Sequence, residues 1–132
     1  MPGITPYLHL PGTAREALEF YASVFGGTTE LHTYAEFGRT DGPTGAIAHG
    51  QLVDGPFELF AADAAEGEPS FEAEGLMLAL LGSADPASLT RWFEALSEGG
   101  TVIDPLQERE WGATDGQVRD CYGLHWLIGF ER

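Results

Sequence analysis

The residues of this chain best suited to chemistry are three histidines and a glutamate. His9, His49, His125 and Glu58 all fall on segments with the composition of β-strands. Imidazole nitrogens and carboxylate oxygens hold divalent metal ions, and they also serve as general acids and bases. One interpretation is therefore a metal site, and another is an acid–base pair of His49 and Glu58 across a hairpin. The competing interpretation is a scattered set of hydrogen-bonded histidines.

The single cysteine, Cys121, is predicted to be structural. Its neighbour Asp120 carries a carboxylate that disfavours the thiolate, so the sequence does not favour a nucleophile here. One cysteine cannot form an internal disulfide, which fits a reducing compartment. The N-terminus also lacks the pattern of a signal peptide, and we expect the protein in the cytoplasm.

Charge restricts the partners of this chain. Its 6 basic and 21 acidic residues give 6 − 21 = −15, and all the basic residues are arginine. We therefore predict that the protein binds neither nucleic acid nor an anionic membrane, because both are bound by clustered positive charge. The absence of lysine excludes a Schiff base. The negative net charge is compatible with a cationic small molecule as a ligand.

Two sets of short repeats indicate an internal duplication. Phe20-Tyr21 followed by Gly26-Gly27-Thr28 recurs as Trp92-Phe93 followed by Gly99-Gly100-Thr101, and the glycine-threonine run is offset by 73 residues. Gly50-Gln51 recurs as Gly116-Gln117, at an offset of 66. The shorter offset predicts a longer loop in the first copy, at residues 35–45, which are rich in glycine.

Each copy is predicted to contain one strand, one helix and three further strands. Thr13 with Glu16 resembles a capping box at the start of the first helix, and Asp85-Pro86 is a typical start for the second. The strands are predicted at residues 4–10, 28–34, 46–53, 57–62, 76–81, 101–103, 113–119 and 124–130. The apolar residues of the second helix that recur at helical spacing, and that we expect in the core, are Leu89, Trp92, Phe93 and Leu96.

These elements predict an α+β fold of two tandem βαβββ modules in a single domain. The first module spans residues 1–63, an acidic connector spans 64–74, and the second module spans 75–132. The motifs that accompany this order are the entering Pro6-Tyr7-Leu8, the helical Glu16-Ala17 to Phe25-Gly26-Gly27, Trp111-Gly112, and the terminal Asp120, Gly123 and Trp126. With them, the chain resembles the vicinal oxygen chelate superfamily, which includes glyoxalase I, extradiol dioxygenases and bleomycin-resistance proteins, and most closely its PhnB-like subfamily.

The resemblance implies paired mixed sheets curled into a cup, often completed by a homodimer. It also implies a metal held by His or Glu on the first and last strands of each module. Those positions fall on Pro6 and Leu76, on Glu58 or Phe60, and on Leu127 with His125 nearby. Most of these residues cannot bind a metal, so we predict no metal or other cofactor, with a divalent metal as the alternative.

We therefore predict a metal-independent binding protein, of the kind that sequesters an antibiotic or other natural product in a dimer cleft, and no catalytic residues. The alternative is a divalent-metal enzyme, a lyase, isomerase or dioxygenase acting on a small oxygenated substrate. Aromatic side chains provide a wall on which a flat ligand stacks, and a few polar groups anchor it. The predicted ligand-binding residues are Leu8, Tyr34, Phe37, His49, Glu58, Phe60, Trp111, His125 and Trp126.

Overall fold

The computed structural model describes residues 3–72 and 74–131 of the chain. They divide into two compact units, one ending at Phe71 and the other beginning at Glu72. Each unit has the order βαβββ, so the predicted α+β fold is confirmed. Neither helix among the described residues is long and apolar enough to cross a membrane.

The first unit contains a four-stranded mixed sheet and one helix. Its strands lie in the order β1-β4-β3-β2, and β1 is parallel to β4 while the other neighbours are antiparallel. Residues 34–46, including the predicted long loop, lie between β2 and β3. The elements are β1 (Tyr7–Leu10), α1 (Ala14–Phe25), β2 (Thr28–Thr33), β3 (Ile47–Val53) and β4 (Leu59–Asp63).

The second unit repeats this topology, with the strand order β5-β8-β7-β6 and β5 parallel to β8. The predicted strand at residues 113–119 is confirmed, whereas the one predicted at 101–103 continues to Glu108. The pairing of that longer strand is irregular near Asp104, so exposed and less exposed residues do not alternate regularly along it. The elements are β5 (Leu78–Leu81), α2 (Pro86–Ser97), β6 (Thr101–Glu108), β7 (Ala113–Arg119) and β8 (His125–Glu131).

In each unit the helix packs on one face of the sheet. In β1, Leu8 and Leu10 are buried whereas Tyr7 and His9 are exposed, because successive strand residues point to opposite faces. The helical stripe predicted for α2 is confirmed, since all four of its members are buried. The buried residues of α1 are Ala14, Ala17, Leu18, Tyr21 and Phe25.

Close backbone contact explains the repeated glycine-glycine-threonine run. A Cβ at Gly27 would collide with the carbonyl oxygen of Val53, and a Cβ at Gly100 would collide with that of Arg119. Val53 ends β3 and Arg119 ends β7, so both glycines allow the chain to leave its helix directly against the end of a strand.

The second repeat, Gly50-Gln51 and Gly116-Gln117, also depends on its glycines. A Cβ at Gly50 would lie 2.6 Å from Cδ1 of Leu18, so this glycine lets α1 approach β3. A Cβ at Gly116 would lie 2.7 Å from the carbonyl oxygen of Asp104. In both units the glutamine that follows points to the opposite face of the sheet from its glycine.

The N-terminus of α1 is capped by a distant residue. The predicted capping box is wrong, because the Thr13 side chain makes no capping hydrogen bond. Asp63 replaces it: its Oδ1 accepts from the Ala14 amide at 2.9 Å, and its Oδ2 accepts from the Ile47 amide at 2.8 Å. This buried carboxylate therefore joins α1, β3 and β4. The second helix is capped as predicted, since Asp85 accepts from the Ser88 amide.

We expect Asp63→Ala to lower the free energy of unfolding by about 2–4 kcal/mol, because two buried amides lose their acceptors. Denaturant titration followed by circular dichroism measures this change. Asp63→Asn retains one acceptor oxygen and should cost less. Glu19→Ala, at an exposed position of α1, is the control and should stay within about 0.5 kcal/mol of the wild type. An Asp63→Ala variant as stable as this control would contradict the capping role.

Candidate functional site

The face of the first sheet opposite α1 carries a row of chemically distinctive side chains. Tyr7 of β1 pairs with Phe60 of β4, Phe60 pairs with Gln51 of β3, and Gln51 pairs with Glu30 of β2. Because cross-strand partners share a face, the four residues form one row across the sheet. We call this surface, with His9 and His49 beside the row, the Tyr7 face.

The rings on the Tyr7 face are in mutual contact. The centroid of Tyr7 lies 5.5 Å from that of His9, 5.4 Å from that of His49 and 5.7 Å from that of Phe60. His49 and Phe60 are 5.2 Å apart. Tyr7 remains 44% exposed, so this aromatic group is accessible rather than a sealed core. Such a surface suits a flat apolar molecule.

Hydrogen bonds fix the polar atoms of the same face. The Tyr7 hydroxyl lies 2.8 Å from Nδ1 of His49, and Nε2 of His49 lies 3.1 Å from Oε1 of Gln51. Partial burial raises the pKa of the Tyr7 phenol above its usual range, against the opposing effect of the Arg39 guanidinium. Tyr7 is therefore a neutral hydroxyl at physiological pH.

A cavity adjoins the Tyr7 face at the β3–β4 hairpin. It has a volume of about 380 Å³, and its lining includes Gln51, Glu58 and Phe60. Glu58 precedes β4 and is exposed, and its Oε2 accepts from the Thr5 hydroxyl at 3.2 Å. The structure therefore does not pair His49 with Glu58, since His49 contacts Tyr7 and Gln51 instead.

The second unit has a cavity of about 620 Å³ at the ends of β5 and β8. Trp111 lines it and is 74% exposed. Asp115 also lines it, and Oδ1 of this residue accepts from Nε of Arg109 at 2.7 Å, which offsets the charge of the carboxylate. We call this space the Trp111 cavity. Its other lining residues are Leu81, Gly82, Ala84, Pro86, Ala113, Thr114, Gly129, Phe130 and Glu131.

In the second unit, the positions that correspond to Tyr7 and Phe60 carry aliphatic side chains. There Ala79 pairs with Leu127, and Leu127 pairs with Gln117. Gln117 keeps a histidine partner, because its Oε1 lies 2.9 Å from Nε2 of His125. Both sheets thus contain a glutamine–histidine contact, and in the first sheet the rings of Tyr7 and Phe60 lie beside it.

Three predicted ligand-binding residues lie in the core instead. Leu8 is 5% exposed, on the helix-facing side of its strand. Tyr34 is 1% exposed and its hydroxyl donates to the carbonyl oxygen of Asp63 at 2.6 Å. Trp126 is 1% exposed and donates its Nε1 hydrogen to Oδ2 of Asp120 at 2.8 Å. Each side chain contacts protein and does not reach either surface.

The other predicted residues are distributed over several surfaces. His49 and Phe60 meet on the Tyr7 face, and Glu58 lies at its hairpin end. Phe37 is 56% exposed and stacks on His32, with their centroids 5.8 Å apart. Trp111 and His125 belong to the second unit. The structure thus brings together three of the predicted residues in the first unit, and ligand binding by any of them stays a prediction.

Sequence reasoning missed Tyr7 and Gln51 as parts of the site, and it considered His9 only as a candidate metal ligand. The alternation along β1 could have identified Tyr7 and His9, because Leu8 and Leu10 are the apolar residues that face the core. The residues that alternate with these leucines, Tyr7 and His9, must lie on the other face.

The resemblance to the vicinal oxygen chelate superfamily implies a metal ion, but the metal-donor side chains of the described residues do not form a site for one. Across residues 3–72 and 74–131, no three His, Cys, Asp or Glu side chains are grouped so that they could hold a metal ion. Both ring nitrogens of His49 are already hydrogen-bonded. Cys121 is exposed, and desolvation of its thiol, together with the charge of the nearby Asp120, raises the pKa of the thiol in the predicted direction, which disfavours the thiolate.

Comparison with known proteins establishes the family. A family model described as 3-demethylubiquinone-9 3-methyltransferase matches residues 2–129. The chain therefore belongs to this family. Its fold agrees with the resemblance to PhnB-like proteins and to the vicinal oxygen chelate superfamily.

Solved structures agree with this assignment. The crystal structure of protein PA1353 from Pseudomonas aeruginosa is 34% identical, with a TM-score of 0.81 over 99% of this chain and 98% of that one. The PhnB protein from Bacillus cereus is 22% identical, with a TM-score of 0.78 over 98% and 99% of the two chains. A glyoxalase-related enzyme from Fulvimarina pelagi shares the fold at 18% identity, with a TM-score of 0.59 over 99% and 89%.

The family description names a methyl transfer, which requires a methyl donor. Nucleotide cofactors are commonly cradled by a glycine-rich turn between a strand and a helix. The two such connections here, residues 11–13 and 82–85, contain one glycine each. They do not fit an adenosyl methyl donor held in this way, and we derive no methyl transfer from them.

The environment of His125 leads to a prediction about pH. Burial, together with the nearby Arg119 charge, lowers the pKa of His125 below the usual 6.5. The unfolded chain then binds a proton more readily than the folded one, so this residue lowers stability as pH falls through about 6.5. We expect the ring protons of His125 to titrate in NMR with a midpoint below that value, and His125→Gln to lessen the loss of stability in mild acid. A midpoint at or above 6.5 would contradict this environment.

Proposed function

We propose that this protein binds and sequesters a small organic molecule, such as an antibiotic or other natural product, without a metal ion. The observation that carries the proposal is the Tyr7 face, where the rings of Tyr7, His49 and Phe60 lie within 5.7 Å of one another beside a cavity of about 380 Å³. An accessible aromatic surface with fixed polar atoms is the usual composition of a small-molecule site.

The state of His49 supports binding without metal. A metal ligand must offer a free lone pair, and Tyr7 and Gln51 already occupy both nitrogens of this ring. Recruiting His49 would break a hydrogen bond on a partly buried residue. A divalent-metal enzyme remains the alternative, and the metal content of the protein distinguishes the two.

The Trp111 cavity, in the second unit, supports a separate binding surface for a further copy of the ligand. A tryptophan that is 74% exposed beside a cavity of about 620 Å³ offers a large ring for stacking. Trp111 was predicted as a ligand-binding residue, and its position suits that role.

We further propose that the protein is a cytoplasmic homodimer. The second unit exposes several large apolar side chains, and association commonly buries such surfaces. Two of them lie on the edge strand β6, where pairing with another chain is also available. The exposed side chains are Leu76, Met77, Leu81, Val102, Ile103 and Trp111. Sedimentation velocity should give about twice the chain mass of 14.2 kDa, whereas a monomer at micromolar concentration would contradict the dimer.

Isothermal titration against a panel of flat natural products tests the binding function. We expect at least one compound to bind with an affinity that a strong chelator leaves unchanged. Phe60→Ala should weaken that binding about tenfold, because one ring contact and its buried area are lost. Phe20→Ala on α1 is the control for the loss of a phenylalanine, and it should bind like the wild type.

A uniformly flat response across the panel would contradict the binding function. A stoichiometric metal that must be present for binding would instead favour the enzyme of the chelating superfamily. Denaturant unfolding of Phe60→Ala and Phe20→Ala verifies that both variants are folded at the temperature of the titration.

A further inference from the structure

A chain of hydrogen bonds crosses the Tyr7 face and ends at a carboxylate. Nε2 of Gln51 lies 3.4 Å from Oε2 of Glu30, which is a long contact, and Oε1 of Gln51 lies 3.1 Å from Nε2 of His49. An ionised carboxylate only accepts hydrogen bonds, so it attracts the amino group of Gln51. The amide oxygen of Gln51 is then directed at His49.

The direction of the remaining bonds follows from the same donor and acceptor rules. An amide oxygen only accepts, so Nε2 of His49 carries the hydrogen that it donates to Gln51. A neutral imidazole with its hydrogen on Nε2 has a lone pair on Nδ1. The Tyr7 hydroxyl, 2.8 Å away, must therefore donate its hydrogen to Nδ1 of His49.

Tyr7 consequently presents an acceptor to the outside. Its hydrogen is committed to His49, and its oxygen offers only lone pairs on a side chain that is 44% exposed. The exposed carboxylates of Glu30 and Glu58 add negative charge to the surroundings. The Arg39 guanidinium also acts on the Tyr7 phenol, whose pKa it lowers, and Asp41 offsets part of that positive charge through two hydrogen bonds of 3.0 and 2.7 Å.

From this geometry we propose that the ligand presents a hydrogen-bond donor, a protonated amine, to the Tyr7 oxygen and lays a flat apolar group against the rings of His49 and Phe60. The inference rests on the proposed binding function and names the ligand class of that site. A ligand carboxylate in the same place would meet lone pairs and negative charge. Tyr7 thus determines specificity, and Glu30 acts through Gln51 and His49 as a positioning residue.

Three naphthalene probes distinguish the contribution of the hydrogen-bond donor to affinity from the contributions of the positive charge and of the ring. Naphthylmethylammonium has a positive charge and N–H donors, its trimethylammonium analogue has the charge without donors, and naphthylacetate has a negative charge. Calorimetry in the presence of chelator should show that the ammonium binds about tenfold more tightly than the trimethylammonium, since one charge-assisted hydrogen bond is gained. The acetate should bind most weakly.

Tyr7→Phe keeps the ring and removes the acceptor, so the ratio between the two cations should fall to about one. Glu30→Gln should reduce the ratio at least twofold, because a glutamine either donates or accepts and no longer fixes the direction of Gln51. Glu19→Gln, on α1, makes the same charge change away from the Tyr7 face and should keep the wild-type ratio.

The outcomes distinguish failure of the donor preference from failure of the binding function. Equal affinities for the two cations, with both weakened by Phe60→Ala, would overturn the donor preference and leave the binding function intact. A ratio that Tyr7→Phe or Glu30→Gln does not change would also overturn it. If no probe binds, or if Phe60→Ala affects none of them, the Tyr7 face is not a binding site and both proposals fail.

Discussion

Side chains alternate between the two faces along each strand, and both the packing of the core and the position of the candidate site follow from this alternation. A four-stranded sheet has two faces, and each unit of this chain supplies one helix to cover one of them. Residues such as Leu8 and Leu10 therefore face α1, and the residues that alternate with them, Tyr7 and His9, lie on the other side of the sheet. The candidate site therefore lies on the face of the sheet that the helix does not cover, and the pairing of the strands positions its side chains.

Much of the fold was predictable because local patterns and packing agree. The glycine pairs of the repeat marked the ends of both helices, since Gly27 and Gly100 must lie against strand carbonyls. The α2 stripe and the Asp85 cap were also local signals. The α1 cap was not, because its acceptor, Asp63, lies 49 residues away in the sequence and is placed only when β4 is formed.

The candidate site was predicted less well than the fold. Tyr34 and Trp126 are large aromatic residues with polar atoms, and their composition alone does not distinguish a ligand wall from a core position. Their hydroxyl and indole hydrogens are satisfied by Asp63 and Asp120, partners that only the folded chain identifies. The duplicated rows have also diverged, with Ala79 and Leu127 in the positions that correspond to Tyr7 and Phe60. That divergence concentrates the rings in the first unit.

Binding of a small organic molecule to the Tyr7 face without metal can be tested by NMR mapping of backbone amides during titration with naphthylmethylammonium in the presence of chelator. We expect the largest shift changes at Tyr7, His49 and Phe60, with little change along α1. Changes centred on α1, or changes that appear only after a divalent metal is added, would contradict it.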